Sequence, residues 1–437
     1  MSVPKLRFAE FWDAGEWEEK PLGEIFEFHS TANNSRADLS SEGDTFYIHY
    51  GDIHTKFHLY IDFSKDTVPK IASGLFRNAT FLENGDLVIA DASEDTDGIA
   101  KAVEVRGIGH EVKAIAGLHT ILLRDPQKKY VNGFRGLLRE IETVKIQIKR
   151  LAVGTKVYAV SKSVLKQVQL PLPPTPEQQK IADCLSSVDE LIAAQTQKLD
   201  TLKTHKKGLM QQLFPADGET VPKLRFPEFR DAGEWNEDAF DELVDVIDGD
   251  RGINYPKAEE FSSSGYCVFL TAKNVTKNGF KFVEVQFITK EKDEVLRKGK
   301  LRRADVVLTT RGSVGQFAYY SEDVPYHNMR INSGMVILRE KSKKIKSDYL
   351  YSFCRSEILA AYIENIAFGN AQQQLTVAEI KKFKLYFPDP TEQKKIVGCL
   401  TSLDELIAAQ THKLDTLKTH KKGLMQQLFP SADEGQK

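Results

Sequence analysis

Two stretches of the chain carry the same spacing of apolar positions. The first runs Ile181, Leu185, Val188, Ile192, Gln195, Leu199, Leu202, Lys206, Leu209, Leu213. Its steps alternate between four and three residues, a period of about 3.5, as in a helix that packs along one seam against a partner helix. The series returns as Ile396, Leu400, Leu403, Ile407, Gln410, Leu414, Leu417, Lys421, Leu424, Leu428, an offset of 215 (396 − 181). Both copies place Gln and Lys at the same two seam positions. A polar seam residue weakens such a pair but fixes its register and orientation, a role that suits Gln195 and Gln410. The lysines could equally reach along their stems to water. Each predicted helix, about 38 residues long, would span roughly 57 Å at ~1.5 Å per residue.

The repeat extends beyond the seam. From Asp189 to Pro215 the sequence recurs as Asp404 to Pro430 with one change, Gln197 to His412. Thr175-Pro176 and Asp389-Pro390 supply a cap residue and a proline at the first helical position, with Gln178 and Glu392 placed three residues later as a capping box requires. These caps fall one residue out of step between the copies, so one boundary is off by one. A shorter repeat, Val3 to Trp17, returns as Val221 to Trp235 (221 − 3 = 218). Trp17 and Trp235 suit a small apolar anchor that closes each half against its helix better than a ligand-stacking pair. Such internal duplication decides the organisation before any residue-level reading.

Between the repeats the pattern shifts to short apolar runs broken by turn residues. Phe46–Tyr50, Asp86–Ala90 and Thr120–Leu123 are expected strands in the first half. Tyr266–Leu270, Phe280–Ile288, Asp305–Thr310 and Gly334–Leu338 are their counterparts in the second, followed by a helix over Ser347–Asn365. Gly85-Asp86-Leu87-Val88 answers to Ala304-Asp305-Val306-Val307, and Leu122-Leu123-Arg124 to Ile337-Leu338-Arg339. Apolar positions match while polar ones diverge, as expected of one fold used twice with different surface chemistry. The fold class is α+β: two strand-rich domains separated by two long antiparallel coiled-coil helices, related by a pseudo-two-fold repeat. Boundaries fall at 1–174 and 216–388 for the domains, and at 175–215 and 389–437 for the helices.

Composition narrows the function by exclusion. With 437 residues, 41% hydrophobic and 28% charged, the chain is an ordinary globular protein. No apolar run approaches the roughly 18 residues of a membrane span, and the N-terminus lacks the apolar core of a signal peptide. Cys184, Cys267, Cys354 and Cys399 form no close pair, which fits a reducing cytoplasm and argues against a metal or redox site. A net charge of −2 means that any nucleic-acid surface must be a local basic patch. Phosphate-loop, zinc-protease and dinucleotide fingerprints are absent, as is the Asn-Pro-Pro-aromatic motif of amino-methyltransferases. The run Pro388-Asp389-Pro390-Thr391-Glu392-Gln393-Lys394 superficially resembles a metal-nuclease pattern, but its acids are too close together and the helix cap explains them. His54 and His58 gain no third ligand, and that region reads as extended. No catalytic or metal-ligating residues are expected.

What remains is a set of polar loops. In the second half Arg251 lies in Asp248–Pro256, Arg311 and Ser313 in Thr309–Gly315, Asn328, Arg330 and Asn332 in His327–Ser333, and Gln373 in Asn370–Gln374. Arg pairs with guanine, and Asn or Gln with adenine, through bidentate bonds in the major groove. Hydroxyls and backbone N–H groups at glycine turns suit phosphate oxygens. The same loops could simply satisfy one another. In the first half Asp91 and Ser93 stand in an acidic loop that could accept from cytosine N4 or cap a turn, with Lys156 adding charge.

These residues together resemble the specificity subunits of type I restriction–modification systems. The resemblance covers essentially the whole chain and rests on Pro173–Leu185 with Asp189–Phe214, on Phe387–Leu400 with Asp404–Phe429, and on the stretches Gly85–Asp95, Asp248–Pro256, Thr309–Gly315 and Arg330–Arg339. It implies a non-catalytic subunit that binds double-stranded DNA at an asymmetric bipartite site, each domain reading one half. It also implies two methyltransferase subunits docked on the helices and two motor-nuclease subunits joining them, in a bacterial or archaeal cytoplasm. S-adenosylmethionine, ATP and Mg would belong to those partners, with no cofactor on this chain. Ile181, Leu185, Gln195, Leu199, Ile396, Leu400, Gln410 and Leu414 are the expected seam and docking residues.

Overall fold

The computed structural model describes residues 3–154, 156–368 and 374–431. Strands and helices are mixed in two compact units, and neither unit is continuous in sequence. The first is Met1–Thr196 with His412–Lys437; the second is Gln197–Thr411. The long helices, Thr175–Leu213 and Pro390–Gln427, each contribute a part to each unit.

In the first unit a five-stranded sheet runs in the order Glu27–His29, Thr120–Arg124, Leu87–Ala90, Ala102–Arg106, Leu59–Asp62, antiparallel except for its last pair. Every residue of Leu87–Ala90 is buried, because both faces of the sheet are covered. Leu87, Ile89 and Ile121 join a core with Ile181, Leu185, Leu428 and Phe429, while Val88, Ala90 and Leu122 join another on the opposite face. Period-two alternation thus divides one strand between two cores. A three-stranded sheet (Lys70–Ile71, Thr45–Ile48, Ala114–Ala116) and the pair Glu18–Pro21 with Gln169–Leu172 belong to the same unit.

The second unit repeats this plan. Its main sheet runs Val244–Asp248, Met335–Glu340, Val306–Thr309, Phe317–Tyr319. Phe287–Ile288, Cys267–Phe269 and Met329–Arg330 form the three-stranded sheet, with the same antiparallel and parallel pairings as in the first unit. Asn236–Ala239 pairs with Lys384–Phe387. The aligned Asp and Arg make the same bidentate ion pair in both: Arg124 Nε and Nη2 reach Asp86 at 2.8 and 2.7 Å, and Arg339 reaches Asp305 at 2.8 and 2.7 Å. The residue before each Asp takes a left-handed conformation, Gly85 at φ 90° and Ala304 at φ 71°.

Each unit also ties its short N-terminal repeat to the start of a long helix. Arg7 grips Glu177 through Nε (2.7 Å) and Nη2 (2.8 Å), and donates from Nη1 to the Gly15 carbonyl. Arg225, Glu392 and Gly233 reproduce this in the second unit. Trp17 stacks edge-on against Phe429 and Trp235 against Phe214, the expected anchors. Gln178 accepts from Val131 N–H and donates to the carbonyls of Lys129 and Pro173. Gln393 does the same with Lys346, Lys344 and Pro388.

Five expectations need correction. The first helix begins at Thr175, so Thr175 is not its cap. Gln178 N–H bonds Pro174 O as Gln393 N–H bonds Asp389 O, which brings the copies into step at an offset of 215. The capping box does not form, because Gln178 bonds loop carbonyls and Glu392 takes Arg225. Ser347–Asn365 is two helices, Ser347–Cys354 and Glu357–Phe368, interrupted where Arg355 turns toward Asp404 and Ser356 O starts the next turn by accepting Ala360 N–H. Phe280–Ile288 is two short strands, and the supposedly extended region of His54 is a helix, Tyr50–Thr55, capped by the His49 ring on Gly51 N–H.

Burial follows the predicted seam. Ile181, Leu185, Gln195, Leu199, Ile396, Leu400 and Leu414 are buried and Gln410 is half-buried. The seam lysines find matched acids: Lys421 bonds Asp189 at 2.6 Å in the first unit, and Lys206 bonds Asp404 in the second. Burial, followed by the nearby Arg355, depresses the Lys206 pKa although Asp404 pulls it up.

Candidate nucleic-acid interface

In the second unit, strand Val244–Asp248 runs into a loop that its neighbours hold rigidly. Any Cβ at Gly249 would meet the Asn332 carbonyl at 2.1 Å, so only glycine fits there. The Asp250 carboxylate accepts the N–H groups of Arg251 (2.8 Å), Arg297 (2.6 Å) and Lys298 (3.5 Å). Burial opposes its ionisation, but these N–H groups hold the carboxyl below the usual range. Arg251 Nη2 donates to Ser333 O at 3.2 Å and pairs with Asp248 at 3.1 Å, leaving its side chain half exposed. Gly334 O accepts from Thr310 and Arg311 N–H, and Gly334 N–H donates to Asn332 Oδ1. Arg311 and Ser313 are exposed. The structure therefore gathers Arg251, Arg311, Ser313 and Asn332, and adds Arg297 and Lys298, which sequence reasoning missed. A cleft of about 420 Å³ lies between Asp248–Asn254 and this last pair.

Arg330 does not belong there. It is 4% exposed, and its guanidinium bonds the Asp293 carboxylate and the carbonyls of Lys298, Asp293 and Leu296. With these donors turned inward it is a core residue, so the expectation of a base contact is corrected. Asn328 is half-buried just before the strand Met329–Arg330 of the three-stranded sheet, its carbonyl accepting from Val268 N–H. Gln373 lies outside the described residues. Its neighbour Gln374 bridges Arg311.

The first unit builds the same frame from main-chain bonds. Asp91 N–H donates to His119 O (3.1 Å) and Val160 N–H to Asp91 O (2.9 Å). In the second unit Thr310 N–H donates to Gly334 O (2.8 Å) and Leu375 N–H to Thr310 O (3.0 Å). Ala92–Ser93 pairs with Tyr158–Ala159, which places exposed Lys156 beside the loop. Ser93 is buried, and its hydroxyl accepts Asp95 N–H, which caps the turn. Asp91 meets His119 Nδ1 at 3.2 Å, and His54 Nε2 donates to Ala92 O. The Lys149 ammonium holds the Asp97 carboxyl below its ordinary range. Tyr50, His54, Ser93, Lys101 and His119 are among the residues that line a cleft of about 1030 Å³. His119, Tyr50 and His54 were not singled out as readers. Applying the offset of 215 to Gly334 would have pointed to His119.

A family model described as type I restriction modification DNA specificity domain matches the chain twice, over residues 14–204 and 233–419. The MjaVIII specificity subunit of a type I restriction enzyme from Methanocaldococcus jannaschii is 25% identical over 321 residues, 71% of this chain and 73% of the relative. The EcoBI specificity subunit of Escherichia coli is 22% identical over 256 residues, 54% and 52% of the two chains. Among solved structures, the S subunit of a type I system from M. genitalium covers 98% of this chain and 100% of its own at a TM-score of 0.57 and 16% identity. A structure concerned with complex assembly and conformational transition of the type I R-M system covers 94% and 97% at 0.58 and 16%. Both share the fold.

Proposed function

The chain belongs to the family of type I restriction–modification DNA specificity domains, which it carries twice, and from that membership we propose that each unit reads one half of a bipartite duplex site. The observation that carries this reading is the shared main-chain frame at 91/119/160 and 310/334/375, on which the two units mount different side chains. Such a frame keeps the loops in place while the groups offered to base edges change. In the second unit Arg251, Arg311, Ser313 and Asn332 suit purine edges and phosphates, with Arg297 and Lys298 beside them; Asn328 and Gln373 stay as weaker candidates. In the first unit Asp91 and Lys156 remain candidates.

The long helices serve this reading as an antiparallel coiled-coil spacer. Buried seam positions in both units and the matched pairs Asp189–Lys421 and Lys206–Asp404 support it. Because the seam is occupied, partner docking falls to outward residues: Leu191 and Leu406, also 215 apart, are 57% and 40% exposed. Two identical partners would meet identical surfaces there. We assign that role to two methyltransferase subunits, with two motor-nuclease subunits joining the assembly in the cytoplasm. In this scheme the chain is non-catalytic; S-adenosylmethionine, ATP and Mg reside on the partners.

Arg311→Ala tests the proposal. Sequencing of methylated genomic sites in a host carrying the chain and its partners should show one relaxed position in the second half-site, matching a loss of about 1–3 kcal/mol in discrimination. An unaltered second half-site would refute the role of Arg311.

A further inference from the structure

The Asp91–His119 pair is surplus to the fold. In the second unit the same main-chain bridge closes between Thr310 and Gly334, with neither a carboxylate nor an imidazole present. Yet the first unit places His119, a residue with a Cβ, in the left-handed region at φ 54°. That conformation is uncommon for a residue with a Cβ, and such strain gathers where a side chain has work to do. His119 remains half exposed, 52% for its side chain, at the mouth of the cleft.

The ring is held in one orientation. Asp91 Oδ1 lies 3.2 Å from Nδ1, and the Tyr50 ring packs against the imidazole at 5.4 Å and 78°. Tyr50 is in turn packed against His49 at 4.6 Å. An ionised carboxylate only accepts, so the neutral imidazole carries its proton on Nδ1 and presents a bare lone pair at Nε2. Nε2 has no hydrogen-bond partner among the described residues, whereas the nearby ammonium groups have theirs: Lys101 Nζ donates to His54 O and Lys149 pairs with Asp97.

We propose that His119 is a specificity-determining residue of the first unit, its Nε2 accepting a hydrogen bond from the exocyclic amino group of a base in the major groove. Two bases offer that donor there, cytosine through N4 and adenine through N6. Asp91 acts in this scheme as a positioning residue that selects the tautomer. The inference rests on the reading of both units as DNA-binding.

The test uses the full chain assembled with its methyltransferase partners and duplexes lacking single exocyclic amines in the first half-site. 2′-Deoxynebularine deletes the amine of adenine, and 2′-deoxyzebularine that of cytosine. One substitution should weaken wild-type binding about five- to tenfold, the loss of one hydrogen bond, and its identity names the base. His119→Gly should bind that duplex and the parent equally well. Glycine relieves the left-handed strain, so this variant should melt at or above the wild type. Asp91→Ala, which frees the ring, should flatten the same position in part. Identical amine-deletion profiles for wild type and both variants would overturn the role of His119 while leaving the DNA reading intact. An assembly with no sequence preference in either half-site would overturn both.

Discussion

Replacing Arg7 with Met should cost the first unit about 3 kcal/mol. The side chains of Arg7 and Glu177 are 6% and 1% exposed and meet through two short bonds. Removing one partner of a buried pair typically costs about 3–5 kcal/mol, because the other charge is left without compensation. Two features limit the damage here. Glu177 stands in the first turn of the helix, where the helix dipole favours a carboxylate by roughly 0.3–1 kcal/mol. Trp17 Nε1 also still donates to Oε2 at 3.1 Å. Native-state hydrogen exchange reads the two units separately. At about 1.4 kcal/mol per factor of ten, the best-protected amides of the first unit should exchange roughly a hundredfold faster, with the second unit unchanged. Arg225→Met should destabilise the second unit instead, by at least as much, because Trp235 Nε1 has no hydrogen-bond partner among the described residues and does not relieve Glu392. Glu177→Gln added to Arg7→Met should recover part of the loss, since the orphaned group is then neutral. The reasoning fails if Arg7→Met changes exchange by less than about threefold, or if the double variant is as unstable as the single one, which would point to lost packing.

Two further outcomes test the other ionic sites. Arg330→Met should destabilise the second unit by about 3 kcal/mol, because it leaves Asp293 (1% exposed) with Lys300 as its one remaining ion-pair partner among the described residues. The sequence preference of folded protein should be unaffected; relaxed specificity without loss of stability would restore Arg330 as a reader. His49 should make the first unit sensitive to acid. Burial, then the Arg36 guanidinium, lowers its pKa below 6.5, with Asp52 opposing and His119 adding to the shift. The unfolded chain therefore binds the proton more readily. Stability is fully present above about pH 6.5 and declines as the pH falls through the depressed folded value. His49→Asn keeps an acceptor for Gly51 N–H without titrating, so its unfolding free energy should vary less between pH 7 and 5. Equal slopes for both proteins would refute the assignment.

The features legible in the sequence were those set by local spacing or by comparison of the copies. The seam was readable because a period near 3.5 survives ten positions twice, and its burial follows. Asp86 aligns with Asp305, and Arg124 with Arg339, in the sequence alone, and each Asp–Arg couple forms an ion pair in its unit. Illegible features depended on partners distant in sequence. Arg7 and Glu177 are 170 residues apart, and nothing local marks them as a pair. Arg330 sits among polar neighbours, but both residues of its strand are buried and Asp293, 37 residues upstream, meets it there. Nothing local marks His119 either, because the carboxylate that holds its ring, Asp91, lies 28 residues upstream. Ser347–Asn365 has an unbroken helical pattern, and only the turn at Arg355 and Ser356 divides it.

Identity and divergence in this chain follow from which atoms hold each part together. The loops that face the clefts are fixed by main-chain bonds at Asp91 and Thr310, which any residue with a free N–H and carbonyl can make. Their side chains can therefore differ between units without loosening the frame. The pairs Asp86–Arg124 and Asp305–Arg339 hold their strands through side chains, and there the two units match atom for atom. In the long helices, Asp189 pairs with Lys421 and Lys206 with Asp404. A change at the seam lysine in one copy removes the partner of an acid carried by the other copy. A helix bound in this way to its own repeat has little room to drift, whereas a loop bound through its backbone has a great deal.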